Sequence, residues 1–332
     1  MPDHCIRYAL SDPNDPPYRK KCSHKHDMLC ERCEELKAVL SKVQALISNT
    51  NILKQSDKDD AIYTCNEALA HIQNWKAHQL RCINQDNARI DILKKLDQNN
   101  ALIIQDWAMK YLPRQYRESQ GEWFAKRGFS WHISVVIRKT AGEFETQAFV
   151  HVVEQCSQDS PCVVALTEHI LNTIKRENPE ITGVYYRQDN GGCYHSVNTI
   201  LASQMISKRT GVTVHRMDFS DPQGGKGQCD RFAATLKNHA RAYVNEGHNI
   251  STTKEFVDAL LSHSGVPGAR VSLLQNPHCT ELNEKWKGIS KLNNFEFTKD
   301  GVRAWRAYSI GKGRVYPVSQ KEGKHRQPKL II

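Results

Sequence analysis

Residues 183–192 read Gly-Val-Tyr-Tyr-Arg-Gln-Asp-Asn-Gly-Gly, an apolar run that ends in Asp189 and then breaks on two glycines. Such a break predicts the end of a strand, because glycine accepts the tight backbone turn that must follow. A second stretch, Ala101-Leu102-Ile103-Ile104-Gln105-Asp106, has the same form. Two predicted strands that each end in a carboxylate indicate an acidic site at one edge of a sheet.

A third acid follows a glycine-rich segment. Gly224-Gly225-Lys226-Gly227 precedes a helical pattern over 228–245, and Asp230 lies in its first turn. We favour Asp230 as the third acid because the glycines let the chain bend so that the next turn can face the strand ends. The alternatives that stay open are Asp218, Asp221 and Glu246. Each acid taken singly is typical of a turn or a helix cap, so only their joint pattern indicates a site.

The elements between residues 101 and 250 follow a definite order. The pattern predicts three strands first, and then helices that alternate with strands. The predicted strands are 101–108, 131–139, 146–153, 183–189 and 212–219, and the predicted helices are 161–176, 195–209 and 228–245. A three-stranded meander followed by alternating elements predicts a mixed sheet that is covered by helices.

This order resembles that of the DDE/DDD-type transposases of eukaryotic DNA elements, and the segments RQDNGGCYH and DFSDPQGGKGQCDR carry the resemblance. It covers about residues 101–245 and implies an α/β protein with a ribonuclease H-like mixed sheet (β-β-β-α-β-α-β-α). It also implies that Asp106, Asp189 and Asp230 are the catalytic acids. They are separated by 83 and 41 residues, which suits the family. The third acid of that family is often Glu, so the Asp here departs from the common pattern.

The activity that the resemblance implies is metal-dependent DNA strand cleavage and transfer. Two Mg²⁺ or Mn²⁺ ions ~4 Å apart can activate an oxygen nucleophile and relieve charge on the leaving oxygen. Such hard cations prefer carboxylate oxygens. Adjacent strands lie ~4.8 Å apart, so Asp106 and Asp189 can share one ion while Asp230 completes the site. Whether the chemistry is retained stays open.

Two other functions remain open beside this one. The first is a non-catalytic, zinc-containing DNA-binding protein derived from a transposase. The second is a ribonuclease or another nuclease on the same fold. The sequence favours neither over the transposase-like reading, because all three candidate acids are present.

A cysteine and histidine cluster lies near the start of the chain, in the pattern Cys22-x-His24-x-His26-x₃-Cys30-x₂-Cys33. Zinc takes four tetrahedral sulfur or nitrogen ligands, and the Cys-x₂-Cys pair has a standard zinc spacing. We predict one structural zinc site formed by Cys22, His26, Cys30 and Cys33. His24 is the alternative histidine, and His4 and Cys5 are spare candidates. The other cysteines, among them Cys229, are predicted to be packing residues.

Helical periodicity fills the segment between this cluster and the first strand. It predicts a long helix or a pair of helices, which either packs on the core or dimerises. The apolar positions are Leu36, Leu40, Val43 and Leu46, then Ile62, Cys65, Leu69 and Ile72. The predicted division is an arm and zinc module at 1–47, a helical segment at 48–100, a core at 101–250 and a basic extension with short strands at 251–332.

The charge of the chain indicates its partner. The formal net charge is +10, and residues 302–332 hold eight Lys or Arg but one Glu, interleaved with aromatic residues. A basic segment of this kind suits DNA. The predicted DNA contacts are Lys226, Arg231, Arg303 and Arg306.

Location and completeness are further expectations from the sequence. The apolar runs are too short to cross a membrane. The basic tail is a weak nuclear signal, so we expect a nuclear protein, with the cytoplasm as the alternative. The short stretch before the cluster and the end soon after the core are expected of a fragment or a domesticated copy.

Overall fold

The computed structural model describes residues 4–124, 126–154, 156–221, 227–275 and 286–318, and the backbone of 329–331. The strands are β1 (Asn100–Trp107), β2 (Ser130–Thr140), β3 (Glu143–Glu154), β4 (Gly183–Gln188), β5 (Thr213–Phe219), β6 (Ala269–Gln275), β7 (Asn294–Thr298), β8 (Gly301–Trp305), β9 (Arg314–Tyr316) and β10 (Lys329–Ile331). The helices are α1 (Ile6–Ala9), α2 (Glu31–Asn49), α3 (Gln55–Lys95), α4 (Gln120–Trp123), α5 (Ser160–Glu177), α6 (Val197–Thr210), α7 (Gln228–Asn245) and α8 (Thr253–Leu261).

These strands form one mixed sheet in the order β10-β6-β3-β2-β1-β4-β5-β7-β8-β9. Strand β1 lies between β2, which is antiparallel to it, and β4, which is parallel to it. The predicted order of three strands, then alternating helices and strands, is confirmed, with the short α4 between β1 and β2. The protein is therefore of the mixed α/β class, and its large mixed sheet is compatible with the ribonuclease H-like expectation.

The strands that follow residue 250 belong to this same sheet. Strand β6 pairs parallel with β3, and β7 pairs antiparallel with β5. The segment predicted as a separate basic extension therefore continues both sides of the core. A sheet edge carries unpaired N–H and C=O groups, and pairing them with further strands satisfies these groups. The predicted boundary at residue 250 does not coincide with an edge of the sheet.

Helices cover both faces of the central strands. Helices α5 and α6 pack on one face, while α7, α8 and the end of α3 pack on the other. Strand β2 is consequently buried on both sides from Ser130 to Ile137, although its sequence alternates polar and apolar residues. Local signals fix the helix ends: the Ser196 hydroxyl accepts the N–H of Thr199 to begin α6, and Gly211, at φ +69°, ends it.

The helical segment is a pair of helices, α2 and α3. Helix α2 buries none of its residues, and α3 buries residues only in its second half. The buried ones are Asn84, Gln85, Ala88 and Ile92. Packing on the core is thus confirmed for the end of α3. The predicted boundary at residue 47 lies inside α2.

None of the helices that the structure describes is long and apolar enough to span a membrane.

A buried charge network joins α3 to β5. The guanidinium of Arg216 donates to Asp218 at 3.0 Å, to Asp91 at 3.3 Å and to the carbonyl oxygen of Ala88 at 2.9 Å. Asp218 also accepts a hydrogen bond from the Asn294 amide at 2.7 Å. Both Arg216 and Asp218 are buried. This network fixes the end of α3 against the sheet and takes up the carboxylate of Asp218.

Arg216→Met should destabilise the fold by about 3–5 kcal/mol, because it leaves the Asp218 carboxylate buried without its charged partner. Arg89→Met is the matched control. Arg89 also lies on this side of the molecule, but its ion pair with Asp86 is exposed at 3.5 Å, and we expect a change of at most ~1 kcal/mol. Urea denaturation measures both free energies of unfolding. Equal losses in the two variants would contradict the role assigned to the buried network.

Candidate active site

Two of the predicted acids lie at the same end of adjacent strands. Asp106 is the last residue but one of β1, and Asp189 follows β4 directly. The parallel register pairs Gln105 with Gln188, so the two aspartates occupy the next matching positions. Asp106 is half-buried, whereas Asp189 is exposed. The strand ends therefore present both carboxylates at one edge of the sheet, as the sequence predicts.

Helix α7 brings the third acid. Cys229 holds the start of α7 against the sheet, because its thiol lies 3.3 Å from the carbonyl oxygen of Ile104 and 3.6 Å from that of Ile133. Asp230 follows directly, is exposed, and accepts the N–H of Gly227 at 2.8 Å. Cys229 was predicted only to pack. Its contacts with β1 and β2 show that it also positions the neighbouring acid.

The pKa of Asp106 depends on its burial and on the charges of the other two acids. Burial, and after it the negative charges of Asp189 and Asp230, raise the pKa of Asp106 to about 7. Among the described residues, the carboxylate oxygens of Asp106, Asp189 and Asp230 do not all lie within 4.8 Å of one another. Three carboxylates that repel one another are a donor set that fits hard divalent cations, because a cation reverses the repulsion.

The alternative third acids are engaged elsewhere. Asp221 accepts hydrogen bonds from His78 at 2.6 Å and from Arg81 at 3.0 Å. Glu246 lies 3.4 Å from His263, and Asp218 belongs to the buried network described above. The geometry therefore favours Asp230 among the four candidates.

The loop after Asp189 forms the floor beneath these acids. The backbone N–H groups of Tyr194 and His195 both donate to the carbonyl oxygen of Gly191, at 3.0 and 2.8 Å, so the chain turns back under the site. Tyr194 is buried, and its hydroxyl has no hydrogen-bond partner among the described residues. Burial raises its pKa, and the charges of Cys193, Asp106 and Asp189 add to the effect. The phenol therefore stays neutral beside the acids.

The predicted DNA-contacting residues lie in different surroundings. Arg231 is exposed beside Asp230 and forms no ion pair with any described residue. Arg303 lies 3.8 Å from Glu296 across β7 and β8. Lys226 lies outside the described residues.

Arg306 is engaged within the protein. It forms ion pairs with Asp12 at 2.6 Å and with Asp15 at 2.8 Å, and its guanidinium lies 4.4 Å from the ring centre of Tyr18. These contacts bind the N-terminal arm to the chain that follows β8. The composition of the basic tail did not predict them, because the acids that pair with Arg306 lie almost 300 residues away.

The structure divides the four predicted zinc ligands between two groups. Cys22 and His26 lie with Cys5 and His24, whereas Cys30 and Cys33 lie with His4. The spacing within 22–33 predicted a single site because it takes no account of the arm. His4 and Cys5, from the start of the arm, lie beside the cysteines and histidines of 22–33, which local spacing alone does not indicate.

Comparisons with known proteins give a family and some weak structural likenesses. No curated protein matches the sequence. The Mos1 transposase paired-end complex with left transposon end is 11% identical, with 74% of this chain and 75% of that chain covered and a TM-score of 0.29. The Mos1 mariner paired-end complex with Mn is 10% identical, with 58% and 61% covered and a TM-score of 0.24. A pre-cleavage Mos1 transpososome is 9% identical, with 74% and 76% covered and a TM-score of 0.27.

These TM-scores are too low to carry functional weight, so function must be inferred from the site itself. One family model matches residues 85–295, from the second half of α3 to the start of β7, and its description is Domain of unknown function (DUF8701). Because this match spans more than half of the chain, the protein belongs to the DUF8701 family.

Proposed function

We propose that this protein cleaves and transfers DNA strands in a metal-dependent reaction at Asp106, Asp189 and Asp230. One observation carries the proposal: the parallel register of β1 and β4 places Asp106 and Asp189 at matching strand ends, and the contact of Cys229 with the Ile104 carbonyl holds the start of α7, with Asp230, against β1. Two strand ends and a helix start meet to produce this arrangement. The resemblance of the two acidic segments to DDE/DDD-type transposases supports the same reaction class.

Each residue of the site has a role that follows from its position. Two divalent cations, Mg²⁺ or Mn²⁺, would supply an activated oxygen nucleophile and charge relief on the leaving oxygen. Asp106 and Asp189 would hold a cation between β1 and β4, and Asp230 would complete the donor set. Cys229 fixes Asp230 against β1 through its contact with the Ile104 carbonyl.

Arg231 is the residue best placed to bind the DNA backbone, because it is exposed and adjacent to Asp230. Arg231→Ala should weaken binding to duplex DNA several-fold and lower the slope of log K against log salt by about 1. Arg176→Ala is the matched control. Arg176 is also exposed, but it lies near the end of α5, just before β4 begins, at the edge of the sheet opposite the acids. Fluorescence anisotropy between 50 and 200 mM salt measures both, and equal losses would remove Arg231 from the interface.

The direct test of the proposal is a nicking assay with the full chain. Supercoiled plasmid should be nicked in Mg²⁺ or Mn²⁺ and left intact in EDTA. A parallel reaction on an RNA–DNA hybrid separates a transposase-like enzyme from a ribonuclease, which would cleave the hybrid instead. DNA binding without any nicking would support the alternative, a non-catalytic zinc-containing DNA-binding protein, and would overturn the proposal.

Self-association through the helical segment and a nuclear location complete the proposal. Helix α2 exposes Leu36, Val39, Val43 and Leu46 at the 3–4–3 spacing of a helix interface. The double change Val43→Glu and Leu46→Glu should convert a dimer to a monomer in light scattering coupled to size exclusion. A monomeric parent protein would contradict the dimer.

Imaging of the tagged full chain tests the proposed nuclear location, and exclusion from the nucleus would contradict it.

A further inference from the structure

Two groups of cysteine and histidine side chains lie in residues 4–33. In the first, ligand atoms of Cys5, Cys22, His24 and His26 all lie within 4.8 Å of one another. In the second, those of His4, Cys30 and Cys33 do so. In the sequence, all four residues of the first group lie between His4 and Cys30 of the second.

The first group has the dimensions of a tetrahedral zinc site. Its two sulfur atoms, those of Cys5 and Cys22, lie 3.6 Å apart. Bonds of ~2.3 Å from zinc to sulfur at tetrahedral angles separate two sulfurs by ~3.8 Å. A disulfide would instead need ~2.05 Å between the sulfurs. Two thiolates and two neutral imidazoles would balance the charge of one Zn²⁺.

An unpartnered buried atom supports this assignment. The Nε2 atom of His26 is buried and has no hydrogen-bond partner among the described residues. A buried ring nitrogen without a partner is costly and commonly indicates an ion or a water that binds it. His24 lies beside it, with ring centres 4.7 Å apart, so both imidazoles converge on the two sulfurs.

The second group is held at the start of α2. Cys30 is the residue before the helix, and Cys33 lies in its first turn. The Nε2 atom of His4 lies 3.4 Å from the Cys33 sulfur. A zinc ion ~2.3 Å from sulfur and ~2.0–2.1 Å from nitrogen separates two such ligands by ~3.6 Å. The Lys76 ammonium also lies 3.3 Å from this sulfur and joins α3 to the group.

From these two groups we infer that residues 4–33 bind two zinc ions rather than one. Cys5, Cys22, His24 and His26 hold the first with four protein ligands. His4, Cys30 and Cys33 hold the second with three, and an exchangeable ligand such as water takes the fourth position. Because His4 and Cys5 are neighbours, the two ions together tie the arm to the start of α2. This inference does not depend on the acidic site.

Zinc stoichiometry tests the inference, with the full chain reconstituted in excess Zn²⁺ and freed of unbound metal. Elemental analysis should give two zinc ions per chain for the parent protein. Cys5→Ser should remove the first ion and Cys30→Ser the second, so that each variant retains one and the double variant none. Cys65→Ser is the matched control, because Cys65 is a half-buried helical cysteine outside both groups, and it should retain two.

A single site formed by Cys22, His26, Cys30 and Cys33 predicts a different pattern. The parent would bind one ion, Cys5→Ser would keep it, and Cys30→Ser would lose it. That result, or a parent without zinc, would overturn the inference. If a cysteine variant fails to fold by circular dichroism, His24→Gln and His4→Gln replace it. Titration of these variants with Co²⁺ then reports each site separately by its thiolate charge-transfer absorption.

Discussion

Asp189→Asn should lower the rate of Mn²⁺-dependent plasmid nicking at least ~10³-fold while duplex DNA is still bound. The asparagine keeps the shape of the side chain but removes one negative oxygen donor from the proposed cation position. Charge stabilisation by a bound metal is worth several kcal/mol in the transition state, and ~4 kcal/mol corresponds to that factor. Plasmid relaxation on gels measures the rate, and anisotropy measures the binding.

The control for this variant is Asp300→Asn. Asp300 is an exposed aspartate in the turn between β7 and β8. Because β7 is antiparallel to β5, that turn lies at the edge of the sheet opposite the acids. Asp300→Asn should leave nicking unchanged. Nicking that survives Asp189→Asn at the parent rate would place the chemistry elsewhere.

The acidic site could be predicted from the sequence because each part of it is local. An apolar run that ends in Asp and then glycine determines both the strand and the position of its last side chain, as at Asp106 and Asp189. The antiparallel strands β2 and β3 and the crossover helix α5 then return the chain parallel to β1, which brings the ends of β1 and β4 to one edge. The sequence pattern alone could not select Asp230. Asp218 and Asp221 are set apart from it by side-chain contacts that only the structure shows, with Arg216 and with His78.

What the sequence could not provide depends on contacts between distant segments. Periodicity does not say which strand β6 or β7 joins, so the sequence predicted only an extension with short strands after the core. Ligand spacing within 22–33 could not include His4 and Cys5, which return through the fold of the arm. In the same way, the ion pairs of Arg306 with Asp12 and Asp15 span nearly the whole chain.

The proposed cation site should be destabilised in the absence of metal, and Asp106 is the residue at which this cost can be measured. Its pKa is raised from the ordinary carboxyl value to about 7, first by burial and then by the charges of Asp189 and Asp230. The ionised carboxylate therefore costs free energy in the folded state. The cost is absent below the unfolded pKa of ~4, grows as pH rises, and is complete above 7.

Asp106→Asn should consequently stabilise the metal-free protein at pH 8, by roughly 2–4 kcal/mol, although we expect the same change to abolish the proposed nicking activity. At pH 4 the variant and the parent should be equally stable, because Asp106 is then protonated. Saturating Mn²⁺ should stabilise the parent by about 3 kcal/mol at a hundred times its Kd but leave the variant unchanged. Denaturant unfolding of the parent and the variant measures these free energies at pH 8 and pH 4 in EDTA, and again in Mn²⁺. A variant that is less stable than the parent at pH 8 would show that Asp106 is a structural residue. An uncompensated charge at Asp106 instead predicts that the variant is more stable at pH 8, and that this difference in stability disappears both in acid and with metal.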